Sequence, residues 1–231
     1  MKMIRCCFFR SVLAAGLLSF AGAVFAGEAV DFEKEFEVAN KAYTSGKWND
    51  AAEMLSKLRP LAKTDWQKYK VNYRLTYCYS NTKQSEKAIE IGLEALKYPK
   101  LSARDRNRFN NIITEANMRL KRYDEALKLA DAQLAEPARE DDMYYTTILN
   151  KGIILYETKK FAEAVTVLKK ADSFNTKDLN FKNKLQWFIG ASAMKSGDKA
   201  TAIAYFEKVA KTGKGWFAAS AKKHLQTLQS K

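Results

Sequence analysis

Apolar positions recur along this chain in a block that repeats five times. The block is anchored on Ala51, Ala88, Ala126, Ala164 and Ala202, which stand 37, 38, 38 and 38 residues apart. Twelve residues before each alanine lies a small residue (Ala39, Thr76, Thr114, Gly152, Gly190), and nine before it a mostly apolar one (Ala42, Tyr79, Asn117, Leu155, Ala193). Four residues after the alanines come Leu55, Gly92, Ala130, Leu168 and Phe206, and seven after them Leu58, Ala95, Gln133, Ala171 and Val209. Spacings of three and four place such residues on one helical face. Gly46, Lys83, Lys121, Lys159 and Gly197, five before each alanine, mark a turn. Each block therefore predicts a helix, a short turn and a second helix. Small residues let the paired helices approach closely, and an aromatic in three blocks (Trp48, Tyr123, Phe161) fills the space beside them. No such unit buries its apolar face alone, so neighbours must stack.

Capping and breaking residues agree with this division. Thr64-Asp65, Ser102, Asp141 and Thr176 are suitable N-caps ahead of the first helices of units two to five. The chain's three prolines, Pro60, Pro99 and Pro137, fall at unit ends, where they stop a helix without breaking one. The units then occupy about residues 32–63, 64–100, 101–138, 139–175 and 176–212. Beyond them, Trp216, Phe217, Ala221, His224, Leu225 and Leu228 form an apolar stripe with Lys222 and Lys223 opposite. That stripe predicts a helix over 214–229 covering the exposed face of the last unit, a free amphipathic membrane helix being the alternative.

Gly-Lys-Trp-Asn-Asp-Ala at 46–51, Lys-Arg-Tyr-Asp-Glu-Ala at 121–126 and Lys-Lys-Phe-Ala-Glu-Ala at 159–164, with the prolines at unit ends, resemble the tetratricopeptide repeat family. The resemblance extends over about residues 32–211. It implies an all-α, right-handed α-α superhelix, a solenoid of about five helix-turn-helix repeats with a C-terminal capping helix, and a concave groove that holds a partner without chemistry. Two departures stand out. The period is 38 where the family's is about 34. Units two and five carry Ser85 and Lys199 in place of the turn aromatic.

In such a superhelix the open face of each first helix lies 18, 15, 11, 8 and 7 residues before its alanine. Counting back gives Asn40 and Tyr43 in unit one; Lys70, Tyr73, Tyr77 and Asn81 in unit two; and Arg108, Asn111 and Arg119 in unit three. Tyr156 follows in unit four, and Lys184, Trp187 and Lys195 in unit five. Rigid aromatics supply contact area, asparagines satisfy an extended backbone, and Lys and Arg pair with carboxylates. Phe36, Leu149, Ile153 and Met194 share the stripe but are expected to pack helix against helix. The family's Lys/Asn/Lys/Arg clamp for terminal carboxylates is not implied, because Phe36 stands where its first lysine is expected, although Asn40 matches.

The N-terminus changes the picture of where this happens. Lys2, Arg5 and Arg10 precede an apolar stretch from Ser11 to Val24, and Val24-Phe25-Ala26 offers a cleavage site before Gly27. Residues 1–26 therefore read as a cleaved export signal, with an uncleaved signal-anchor as the alternative. A lipoprotein fits less well, since Cys6 and Cys7 come before the apolar stretch. The processed chain, residues 27–231, keeps 37 basic and 26 acidic residues, a net charge of +11, and Cys78 as its one cysteine. No intramolecular disulfide is then possible, and Cys78 reads as a small buried apolar residue.

Catalytic signals are missing. His224 is the one histidine, and the sequence has no Gly-rich phosphate loop, Gly-x-Ser-x-Gly elbow or His-Glu-x-x-His. No enzyme activity, metal or cofactor is expected. The expected function is a scaffold in the periplasm of a Gram-negative bacterium, holding an extended, acidic peptide or helix of another envelope protein. The alternative is binding of an anionic envelope polymer, a wall glycan or polysaccharide, through basic residues that occur in every repeat among acids. Nucleic acid suits the charge but not the compartment, and no stable membrane span is expected in the processed chain.

Overall fold

Each unit starts where a short polar side chain caps a helix. In the computed structural model, which describes residues 31–136 and 141–230, Asp31 caps α1 (Phe32–Thr44), accepting from the Glu33 and Lys34 amides. Thr64 caps α3 (Asp65–Asn81) in a reciprocal box with Gln67, and Ser102 caps α5 (Ala103–Arg119). Asp141 caps α7 (Asp142–Glu157). The fifth cap corrects the sequence expectation: Asp178, not Thr176, caps α9 (Leu179–Ser196). Thr176 instead accepts the Asp178 amide at 3.0 Å and shapes the preceding turn. The second helices are α2 (Trp48–Leu58), α4 (Ser85–Ala95), α6 (Tyr123–Ala135), α8 (Phe161–Lys169) and α10 (Lys199–Thr212), followed by α11 (Gly215–Gln229). Pro60 sits in a 3-10 turn, Arg59–Leu61, after α2. The expected export signal over residues 1–26, with Cys6 and Cys7, and Pro137 lie outside the described residues.

All five turns inside the units close the same way. The residue five before each alanine is left-handed: Gly46 (φ 73°), Lys83 (60°), Lys121 (58°), Lys159 (63°) and Gly197 (89°). The amide of the next residue reaches back to the carbonyl five residues earlier, as from Lys47 to Ala42 (3.0 Å) and Lys160 to Leu155 (2.8 Å). This is the glycine-favouring helix stop. A side chain with a Cβ is strained in that region. Replacing Lys83, Lys121 and Lys159 by glycine is therefore expected to stabilise the protein by about 0.5–1 kcal/mol at each site, partly offset by the freer unfolded chain. The sites are far apart, so the increments should add, as urea unfolding of the single and triple variants would show.

Helices pack on their neighbours in the chain, and first helices also pack on first helices: α1 on α3, α3 on α5, α5 on α7, α7 on α9 and α9 on α11. That second set of contacts makes the first helices one continuous wall. The five anchor alanines are fully buried in the seam. Beside them the small position and the position four after the alanine face each other with complementary sizes. A Cβ on Gly152 would overlap Leu168, and one on Gly190 would come within 3.0 Å of Phe206. In unit two the sizes reverse, with a Cβ on Gly92 lying 3.3 Å from the Thr76 methyl. Cys78 is free and buried; burial pushes its thiol up to about 11, so it is protonated at neutral pH.

Candidate functional site

The N-terminal half of the wall spends its polar groups on itself. Lys70 pairs with Glu33 at 2.8 Å and lies 4.6 Å over the Phe36 ring. The side-chain oxygen Oδ1 of Asn40 accepts from Arg74 Nε at 2.7 Å. Arg108 donates to Asp105 at 3.1 Å, and Asp105 also accepts from the hydroxyls of Tyr69 and Ser102, both at 2.6 Å. Burial works against the charged form of Asp105, but the bonds from Ser102 and Tyr69 and the Arg108 guanidinium outweigh it and hold the carboxyl below its usual range. Arg119 donates to Ser80 at 2.7 Å, and Asn81 returns its amide to the Tyr77 carbonyl at 2.9 Å.

The aromatics on this half are similarly engaged. Tyr43, Trp48 and Tyr77 meet edge-on with centroids 5.4–5.6 Å apart. Tyr73 stacks on Tyr69 and meets Phe109 edge-on. Phe109 is fully buried, and Tyr43, Trp48, Tyr69, Tyr73 and Tyr77 are half-buried. Phe36, Leu149 and Ile153 are buried between helices.

Two residues expected on the open face are buried instead. Asn111 bridges α5 to α7, accepting from Thr147 Oγ1 at 3.0 Å and donating to the Met143 carbonyl at 3.4 Å. Trp187 lies beneath α11, donating from Nε1 to Ser220 Oγ at 3.1 Å and packing on Trp216 and Phe217. The physical reason is stacking: α11 covers the end of the wall at Trp187. Tyr156 remains half-buried against Phe161 and Phe188. Lys184 and Lys195 have no carboxylate partner among the described residues.

Where α5, α7 and α9 meet, the wall opens into a cleft of ≈ 410 Å³. Met118, Tyr123 and Ile153 form its apolar lining, with Glu115, Arg119, Glu157 and Lys184 around them. Asn150 also lines it, is 2% exposed, and its Nδ2 has no hydrogen-bond partner. An unpaired buried amide costs about 1–3 kcal/mol, which a ligand carbonyl would recover. Asn150 lies 14 residues before Ala164, a position the repeat pattern does not single out because the other units carry Glu37, Arg74, Ile112 and Phe188 there. The available signal was an amide, beside Lys151, between the apolar pair Ile148-Leu149 and the apolar run Ile153 to Leu155.

No group of metal-ligating side chains occurs among the described residues. His224 stacks on Phe206 (4.9 Å) where α11 meets α10. Burial, then Lys223 and Lys195, lower its pKa from the usual 6.5. The unfolded chain therefore takes up this proton first as pH falls, so the histidine's contribution to stability is present above 6.5 and lost below it. Thermal melts at neutral and mildly acidic pH should show that loss, and His224→Phe should reduce it.

No family model and no curated protein sequence matches the chain. Solved structures do. A Podosopora anserina putative kinesin light chain with nearly identical TPR-like repeats aligns at 16% identity and TM-score 0.62, over 83% of this chain and 96% of that one. The apo form of RapI aligns at 18% identity and TM-score 0.72, over 84% and 72%. MamA MSR-1 aligns at 16% identity and TM-score 0.56, over 85% and 99%. The fold is thus a TPR-type helical solenoid.

Proposed function

We propose that this TPR-type solenoid is a non-catalytic scaffold of the cell envelope whose α5–α7–α9 cleft holds an extended, acidic segment of a partner protein. The observation that carries the reading is the buried, unpaired Asn150 amide lining a cleft. An extended peptide presents backbone carbonyls that suit such a donor, and Lys184 in the lining, with Lys195 further along α9, suits its carboxylates, neither lysine having a carboxylate partner among the described residues. The earlier wall contributes shape and rigidity, its charges being matched within the fold. The export signal over residues 1–26 supports the compartment, and a processed chain beginning at Gly27, read by mass spectrometry of the native protein, is the expected result.

The binding reading is tested by capture from envelope extract with wild type, Asn150→Leu and Lys184→Glu. A partner held by wild type should be lost from both variants and should persist at physiological salt. Capture unaffected by both substitutions would overturn the reading. Binding that collapses between low and physiological salt, with a polysaccharide recovered, would favour the anionic polymer instead.

A further inference from the structure

Basic residues occur along the whole chain, but their excess does not. Residues 27–175 hold 26 basic and 23 acidic side chains, a net of +3, whereas residues 176–231 hold 11 lysines, no arginine and three acids, a net of +8. The excess is carried by the last unit and α11.

Topology brings part of it to one edge. The N-terminus of α9, the C-terminus of α10 and the N-terminus of α11 lie together, since α9 and α10 are antiparallel and two residues separate α10 from α11. Thr212, at the end of α10, donates to Asn183 near the start of α9 at 3.4 Å. Two of the most exposed large apolar side chains, Leu179 (57%) and Trp216 (64%), stand on this edge. Lys177 and Lys182 flank Leu179 in the chain and Lys211 and Lys214 precede Trp216, all exposed. None has a carboxylate within ion-pair distance among the described residues: of the nearby acids, Asp178 is engaged with the first amides of α9 at 2.9 and 3.1 Å, Asp172 with Tyr205 and Lys208, and Glu207 stands one turn before Lys211 without pairing with it. The rest of α11 does not serve as a free amphipathic helix, because Ala218 and Ala221 are buried and its apolar stripe packs on α10 and α9.

We infer that this edge docks the solenoid on an anionic phospholipid surface. Indole side chains favour the membrane–water interface. Unpaired lysines beside an exposed apolar tip gain from anionic headgroups within a Debye length. Lysine suits this role, since a diffuse charged surface asks for mobile point charges rather than the fixed fork of arginine. Two apolar tips give shallow, reversible binding rather than insertion. A membrane-held scaffold would leave the α5–α7–α9 cleft free for its protein partner.

Residues 31–230 contain all eleven described helices and their cores, so residues 27–231 are the form to test. Flotation with phosphatidylcholine vesicles, with and without phosphatidylglycerol, should show binding only when the anionic lipid is present. Lys211→Glu with Lys214→Glu, and separately Leu179→Ser with Trp216→Ser, should each weaken it by about tenfold or more. In the wild type, brominated phosphatidylglycerol should quench part of the tryptophan fluorescence, a readout that requires no variant to fold. No binding to phosphatidylglycerol vesicles overturns the inference. So does undiminished binding by both double variants, or equal binding to soluble polyglutamate that ignores Leu179 and Trp216. Asn150→Leu should leave flotation unchanged, so this inference and the cleft reading fail separately.

Discussion

Gly152→Ala is expected to destabilise the array by about 2–4 kcal/mol, the largest effect of any single methyl group added to this protein. The new Cβ would overlap the Leu168 side chain, which is fully buried in the core shared by α7, α8 and α9. Leu168 cannot swing away, because protein interiors are packed near crystal density. The helices α7 and α8 would have to separate, and a solenoid transmits such a shift only to the adjacent units. Urea unfolding should therefore show a lower midpoint and a broadened or split transition. The cause is tested by adding Leu168→Ala, which gives unit four a small pair like Thr114 and Ala130 of unit three. If the clash is the cause, the double variant should be more stable than the sum of the singles by about 1–3 kcal/mol. Simple additivity would show that glycine matters there for another reason.

Asn150→Leu is expected to separate stability from binding. Leucine keeps asparagine's branched four-atom skeleton, its bulkier methyls face an open cleft, and it removes a buried donor that has no partner, so the melting midpoint should rise, by about 1 kcal/mol of stability. Capture of the partner should fall together with that rise. A residue present only for packing would move both in the same direction, or binding not at all. A fall in stability would mean that the amide already has a partner in the unbound protein, and the cleft would lose its argument.

How far the sequence alone reached can be judged residue by residue. Its period of 38 located the turns at Gly46, Lys83, Lys121, Lys159 and Gly197, and each proves left-handed. It also placed the small residues that let helices approach, because a close crossing demands at least one small residue in each facing pair, as in Gly152 with Leu168 and Thr76 with Gly92. The N-cap at unit five was misplaced by two residues, since Thr176 and Asp178 are both competent caps and only the backbone path chooses between them. The open wall was legible as a stripe, but which members remain open was not. Asn111 and Trp187 carry the right spacing and are buried.

What the sequence determined by itself is the repeating architecture: periodic apolar and small residues dictate helix pairs, and pairs that cannot bury their faces alone must stack. What only the tertiary structure decided is which polar groups remain unsatisfied. Lys70, Arg108 and Arg119 find partners on their own or neighbouring helices, α11 lies over Trp187, and Asn150 is left with a buried amide and no acceptor. Periodicity fixes the face on which a side chain lies. Hydrogen-bond satisfaction depends on what the adjacent helices bring within about 3 Å, and no one-dimensional pattern contains that distance.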